Sequence, residues 1–414
     1  MTIKSLADPL VCPAHRAFLV ADAHAQFDFF DASLRPDGGF HVLDHDGAPI
    51  PGSAQELHST TRLVHSYVLG KIAGRTGCDA MIDAGMACLL DAHRDAEHGG
   101  YVWALDGNAV RDGRKLAYGH VFVLLAAASA HAVDHPDAAA LLNDVEAILD
   151  THFWENAPGL FRDEWNRDWT PFSTYRGMNA NMHGVEALLA AYEATGREMF
   201  LIRAGRILDF FLNRIAPSEN LRLPEHYTQD WQIDRSYSEN PMFRPAGTTP
   251  GHSFELARLM LHYNELADTA DADRILIARN VAYRALSDAW DPVQGGLVYT
   301  LDFDGQPAIR DRYWWPVTEA IGVLAALLKT DPTPEDAIWY SRLWDFAQTH
   351  FIDSQRGGWF PEIDASGAVT ERQFLGKPDI YHSIQAVLFP LTPHVSGVYR
   401  DLRGVLAEAP TRPV

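Results

Sequence analysis

Two patterns of apolar and polar residues alternate along the chain. Stretches such as AHRAFLVADAHAQFDFF from Ala14, QELHSTTRLVHSYVLGKIA from Gln55, CDAMIDAGMACLLDAH from Cys78 and GHVFVLLAAASAHA from Gly119 carry their apolar residues at helical spacing. Between them recurs a phrase of two glycines, an alternating apolar run and an Asp–Gly type turn, which predicts a short hairpin. It reads GGFHVLDHDG at Gly38, GGYVWALDG at Gly99, GGLVYTLDFDG at Gly295 and GGWFPEIDASG at Gly357, with weaker echoes in GLFRDEW at Gly159 and LRLPEHY at Leu221. The period is about 60 residues, with one longer step before the fifth copy, and each repeat holds two helices, about twelve in all. Strand content is too low and too local for a βα barrel. Six helical hairpins predict an all-α fold, an (α/α)6 barrel with six inner and six outer helices and the short β-hairpins gathered at one mouth. An open superhelix of helix pairs is the alternative. No linker rich in Pro, Gly or Ser divides the chain, so residues 1–414 are read as a single catalytic domain, with Pro217 to Thr249 as its longest irregular stretch and a candidate lid.

The helix after each hairpin carries polar residues, near its start in most repeats, and then turns apolar. In TTPGHSFELARLMLHY, Thr248 to Tyr263, Thr249 suits the cap and Pro250 the first helical position, while His252 and Glu255 stand three apart on one face of an otherwise buried helix. The counterparts are Arg62 in HSTTRLVHSY, which lies deeper than the rest; Tyr118 and His120 in AYGHVF; Asn179, His183 and Glu186 in NANMHGVEALL; Trp315 and Glu319 in YWWPVTEAIG; and Asp379 and His382 in KPDIYHSIQAV. If these are the inner helices, their first turns point to one end of the ring and six polar sets meet in one cavity. Desolvating so many polar groups is costly without a function, and convergent polar groups on an apolar scaffold define a candidate site. A lone histidine on a helix is more often a hydrogen-bonded structural residue. His65, His131, His152 and His262 lack this context and are read as structural or surface. Glu186 and Glu319 serve equally well as ties between helices, and Trp315 as a platform for a sugar ring.

Composition narrows the partners. The chain has 414 residues and a formal net charge of −21, which argues against nucleic acid and against an anionic membrane surface. Three cysteines, Cys12, Cys78 and Cys88, with no CxxC pattern, fit a reducing compartment rather than a disulfide framework or a structural zinc site. No signal-peptide pattern and no apolar run of membrane length is present, so a cytoplasmic protein is expected, as a monomer or homodimer.

Three other classes of site can be weighed. HGVE and HSFE place His and Glu at i and i+3 on two helices, the reverse of the Glu-x-x-His pattern of di-iron bundles. Such sites need two further carboxylates from other helices, and no HExxH is present, so no metal is expected. A glycoside hydrolase or lyase on the same barrel needs two carboxylates across the cavity; Glu186, Glu255 and Glu319 are candidates, but the inner ring is richer in histidine. A non-catalytic sugar-binding protein would account for the aromatic residues and not for the paired histidines.

At these residues the chain resembles the N-acylglucosamine 2-epimerase family, and within it the bacterial aldose–ketose isomerase branch. The resemblance covers nearly the whole chain and is carried by YRGMNANMHGVEA, FRPAGTTPGHSFELARLMLH and GKPDIYH, with support from TRLVHSY and WWPVTEA. It implies an (α/α)6 barrel that needs no metal or other cofactor and takes a monosaccharide. It implies that His252 and His382 are the catalytic acid–base pair, and that Arg62, Asn179, His183 and Glu255, with Tyr118, Trp315 and Glu319, form the sugar site. Where the branch that acts on a sulfonated sugar carries glutamines, this chain has Pro361 and Pro378, which favours a neutral hexose such as mannose, with lyxose as a related substrate. The expected reaction is mannose to fructose through a cis-enediol. His382 carries the carbon-bound proton, His252 opens the ring, and Arg62 with His183 stabilises the enediolate. The start of the His252 helix is expected to keep that imidazole neutral, with Glu255 or a neighbour orienting it.

Overall fold

Helices buried on every side alternate along the chain with helices buried on one side only. The computed structural model describes residues 8–238, 244–267 and 270–407. In chain order the long helices are α1 (Pro13–Phe30), α2 (Leu57–Ile72), α3 (Cys78–Cys88), α4 (Ala117–Ala132), α5 (Ala138–Ile148), α6 (Met178–Thr195), α7 (Glu198–Leu208), α8 (Pro250–Leu266), α9 (Ala272–Ala289), α10 (Trp314–Thr330), α11 (Pro334–His350) and α12 (Tyr381–Leu388). In α10 the buried set runs without a break from Trp314 to Leu328, whereas α9 buries only Ala278, Val281, Ala282, Ala285, Leu286 and Ala289, one stripe at helical spacing. That contrast sorts inner from outer helices. The inner set α2, α4, α6, α8, α10 and α12 pack each on the next, and α12 packs back on α2. The ring is therefore closed, and the open superhelix is not formed. Each inner helix carries one outer helix: α3 on α2, α5 on α4, α7 on α6, α9 on α8, α11 on α10 and α1 on α12. This is the (α/α)6 barrel.

A second ring of backbone pairing surrounds the mouth. The residues just before each inner helix pair with the hairpin of the following repeat. Gln55–Glu56 pair with Ala104–Leu105, Lys115–Leu116 with Glu164–Trp165, Arg176–Gly177 with His226–Tyr227, and Arg312–Tyr313 with Glu362–Ile363. Single bridges, Thr248 to Leu301 and Leu43 to Lys377, complete the circuit. Every inner helix thus starts at a fixed height, which brings the polar first turns to one level.

Buried cations reinforce the same junctions. Lys115 Nζ lies 3.1 Å from Asp95, Arg176 Nε donates to Glu155 at 3.0 Å, Arg312 Nη2 to Asp291 at 2.9 Å and Lys377 Nζ to Asp353 at 2.8 Å. Each acid lies at the entry to a hairpin, and each base one or two residues ahead of an inner helix, except Lys377, which precedes α12 by four. Of the candidate lid, residues 239–243 lie outside the described residues. Its described flanks are tied down: Arg244 Nη2 donates to Glu164 at 2.9 Å, and the Glu225 N–H to the Gly247 carbonyl at 3.2 Å. No helix among the described residues is long and apolar enough to cross a membrane.

Candidate active site

The inner-helix starts enclose a cavity of about 120 Å³. Its wall includes Arg62, Tyr118, Asn179, His183, His252, Glu255, Trp315 and His382. Eight of the nine expected site residues therefore meet in one place. The ninth, Glu319, stands directly behind His382. A second, smaller cavity at the opposite end of the ring, lined by His65, Glu193, Arg258, His262 and Lys329 among others, holds none of the expected set.

The two imidazoles are built alike. His382 is buried, and its Nδ1 meets Glu319 Oε1 at 2.8 Å. His252 Nδ1 meets both oxygens of Glu225, at 2.9 and 3.0 Å. An ionised carboxylate only accepts, so each Nδ1 carries the hydrogen and each Nε2 is left as the basic nitrogen. The Trp315 indole is in ring contact with both, its centroid 5.0 Å from the His252 ring and 5.8 Å from the His382 ring. Gly251 allows this approach, because a Cβ there would fall 2.2 Å from the Trp315 ring. Burial favours the neutral form of His382 and lowers its pKa from the usual 6.5, while Glu319 pulls the other way.

Glu225 was not singled out from the sequence; it takes the capping role expected of Thr249 and, of the two orienting groups expected for His252, Glu255 or a neighbour, it is the neighbour. Thr249 stands at the cap position of α8, but its side chain makes no capping bond and its hydroxyl has no partner. Glu225 accepts the Thr249 N–H instead, at 3.2 Å, so one carboxylate caps the helix and orients His252. Glu255 does not orient His252. It lies 3.2 Å from His183 Nδ1, fully buried. Burial, then the carboxylates of Glu319 and Glu186, push its pKa well above the usual range.

Arg62 is the one cation on the cavity wall among the described residues, and it is already paired. Nη1 donates to Asp379 at 3.1 Å, Nη2 to the Tyr118 hydroxyl at 2.8 Å, and the guanidinium packs over the Phe122 and Tyr381 rings. Its Nε and the Asn179 Oδ1 have no hydrogen-bond partner among the described residues. Pro361 and Pro378 are not on the wall; Gln373 is. The case for a neutral sugar thus rests on the absence of an unpaired wall cation among the described residues rather than on those prolines.

Three other sequence candidates fall outside the cavity: Asp379, which pairs with Arg62, and His120 and Glu186. His120 is buried between the Leu116 carbonyl and the Tyr101 N–H. Glu186 lies deeper, accepting from the Tyr381 hydroxyl and, at 3.1 Å, from Gln385. His58, Tyr299, Tyr313, Trp314 and Phe374 also line the wall and were not singled out from the sequence. The three glutamates read as hydrolase candidates sit on one side: Glu255 lies within 4.8 Å of both Glu186 and Glu319 by their nearest oxygens, and no pair spans the cavity.

A closed helical ring that presents two carboxylate-backed imidazoles to a cavity of this size defines a class, a barrel enzyme equipped for proton transfer. The family described as N-acylglucosamine 2-epimerase matches residues 38–386, and the chain belongs to it. Two relatives are a D-mannose isomerase of Thermobifida fusca, 40% identical over 387 residues (92% of this chain and 95% of the relative), and a D-mannose isomerase of Pseudomonas cannabina pv. alisalensis, 38% identical over 403 residues (95% and 96%). A crystal structure of a D-mannose isomerase superposes with a TM-score of 0.87 at 32% identity, covering 92% of this chain and 99% of the other.

Proposed function

We propose that the protein interconverts D-mannose and D-fructose by histidine-mediated proton transfer. The observation that carries this reading is the pair of imidazoles on one cavity wall, both in ring contact with Trp315, each with its Nδ1 held by a carboxylate and its Nε2 left basic. The similarity to enzymes named D-mannose isomerase over more than nine-tenths of the chain supports the choice of sugar. D-lyxose, which has the same configuration at C2 and C3, is a second substrate on this reading.

Isomerisation needs an open-chain sugar, removal of the C2 proton and its return to C1. His382 Nε2 takes the C2 proton, and Glu319 stabilises the imidazolium that forms. His252 Nε2 exchanges protons with O5 and O1, opening the ring, and then carries the hydroxyl proton from O2 to O1 as the enediol forms and collapses to the ketose. Arg62 and His183 lie near the oxygens on which charge develops, where oriented donors lower the barrier most. No step requires a metal.

The test is product analysis on mannose, lyxose, glucose, N-acetylglucosamine, cellobiose and sulfoquinovose, with and without chelator. Mannose should give fructose in both conditions; no ketose from mannose or lyxose would overturn the proposal. His382→Ala and His252→Ala should each lose about a thousandfold or more in kcat with the fold intact. Arg62→Ala should lower kcat more than it raises KM. A second reading, 2-epimerisation, draws on the likeness of the two imidazole pairs, since an epimerase needs a base on each face of C2. It predicts glucose, not fructose, as the main product from mannose.

A further inference from the structure

The geometry points to a binding site for one zinc-class divalent cation on the cavity floor, held by His183, Glu186 and Glu255, where the cation blocks the sugar and inhibits the enzyme. Three observations carry it. His183 Nδ1 lies 3.7 Å from Glu186 Oε2 and 3.2 Å from Glu255 Oε1, and one donor atom from each of the three residues falls within 4.8 Å of the others. Tetrahedral zinc with bonds of about 2.0 Å sets its donors about 3.3 Å apart, so the site needs little movement to close on an ion.

The donors are also unspent. Among the described residues, neither His183 Nδ1 nor either oxygen of Glu255 has a hydrogen-bond partner, although His183 is 3% and Glu255 0% exposed. Buried lone pairs with no partner are costly, and a cation satisfies His183 Nδ1 and one Glu255 oxygen at once. Glu186 is oriented from behind by the Tyr381 hydroxyl and the Gln385 amide, the kind of outer support that fixes a ligating carboxylate. His382 and Glu319 form a second possible set with Glu255, but they already bond to each other and are not offered as ligands.

Charge points the same way. Around the floor, the buried carboxylates Glu186, Glu255, Glu319 and Asp379 face two buried guanidiniums, Arg62 and Arg258. The acids outnumber the guanidiniums, and a bound cation reduces that imbalance. Arg258 approaches Glu186 at 3.9 Å and opposes the ion, so moderate rather than structural affinity follows. One imidazole with two carboxylates selects zinc over magnesium or calcium, which need more oxygen ligands. His183 and Glu255 both face the cavity, so the fourth position of the ion opens toward the sugar.

The test is calorimetric titration of ZnCl2 into the metal-free full-length protein, with zinc-edge anomalous diffraction from soaked crystals. The wild type should bind one ion with a micromolar dissociation constant. Glu255→Gln and Glu186→Gln should each weaken that site at least thirtyfold, and His183→Gln serves if either fails to fold. The anomalous peak should lie between the three side chains. Unchanged zinc binding in the variants, only millimolar binding in the wild type, or a peak elsewhere would overturn the proposal. The inhibition arm alone rests on the isomerase reading: zinc should suppress fructose formation and excess chelator restore it. Because binding is read without turnover, failure of the isomerase reading leaves the calorimetric result standing.

Discussion

Replacing Glu225 by glutamine isolates one charge. The amide keeps the shape, and its oxygen accepts from His252 Nδ1 and from the Thr249 N–H as the carboxylate does, at the 2.9 and 3.2 Å now seen. What disappears is the anion behind the imidazole. Glu225 is 4% exposed, so solvent does little to screen the loss. A hydrogen bond to a charged group contributes about 1.5–3 kcal/mol, and the part lost on neutralising the acceptor appears when His252 becomes an imidazolium. A neutral bond of about 1 kcal/mol remains, so roughly 0.7–2 kcal/mol is lost, and at about 1.4 kcal/mol per factor of ten kcat should fall about 3- to 30-fold with little change in KM. Glu225→Ala removes orientation and the helix cap as well, and should cost a further factor of about ten and about 1 kcal/mol of stability. The assay is fructose formation from mannose and from mannose deuterated at C2. If His252 serves ring opening, the Gln variant makes that step limiting, and the kinetic isotope effect at C2 should shrink toward unity. A kcat within twofold of wild type, or a large drop with the isotope effect undiminished, would refute the assignment.

Three further outcomes follow from the same structure. His382 must be neutral to accept a proton, and burial lowers its pKa from 6.5, so the acid limb of kcat/KM should lie below pH 6.5; because Glu319 raises that pKa, Glu319→Gln should move the limb further down and cut kcat about tenfold or more, and a limb that stays or rises refutes the pairing. Phe374 lines the cavity and stands edge-on to Trp314 at 5.1 Å, on a loop whose Gln373 N–H is held by Glu362 at 2.8 Å. Phe374→Ala should open the mouth, weakening mannose kcat/KM about tenfold and raising turnover of disaccharides with mannose at the reducing end; no gain on disaccharides would show that the ring does not set substrate size. Lys377→Met strips Asp353 of a partner in a pair 1% and 3% exposed, and should cost about 3–5 kcal/mol of unfolding free energy by denaturant titration, against under about 1 kcal/mol for Lys71→Met in the exposed pair with Asp79.

What could be read from the sequence and what could not divide along one physical line. A period of hairpin and helix pair is a local signal repeated six times, so the ring and the inner helices were legible, and with them Arg62, His183, His252, Glu255 and His382. His120 could have been set aside by the same reasoning. It stands two residues from Tyr118, and residues two apart on a helix point to different faces. The buried cations left a trace that went unread: DAEHGG, DPVQGG and DSQRGG each place an acid four residues before the first glycine, and Lys115, Arg312 and Lys377 stand shortly before the next inner helix. Glu225 left none. It lies 27 positions from His252, in the weakest echo of the hairpin phrase, and nothing in LRLPEHY marks it as the partner of a histidine. The two meet because Pro224 bridges to Thr248 and the Glu225 N–H donates to the Gly247 carbonyl, which sets the hairpin against the start of its own inner helix. Contacts within one element follow from the spacing of residues along it, whereas contacts between elements exist only once the barrel has folded. The orienting carboxylates are of the second kind: Glu319 reaches His382 across 63 positions, from α10 to α12. A related chain could therefore keep the motifs around both histidines and still lose activity by a change at Glu225 or Glu319, positions that its own local sequence would not flag.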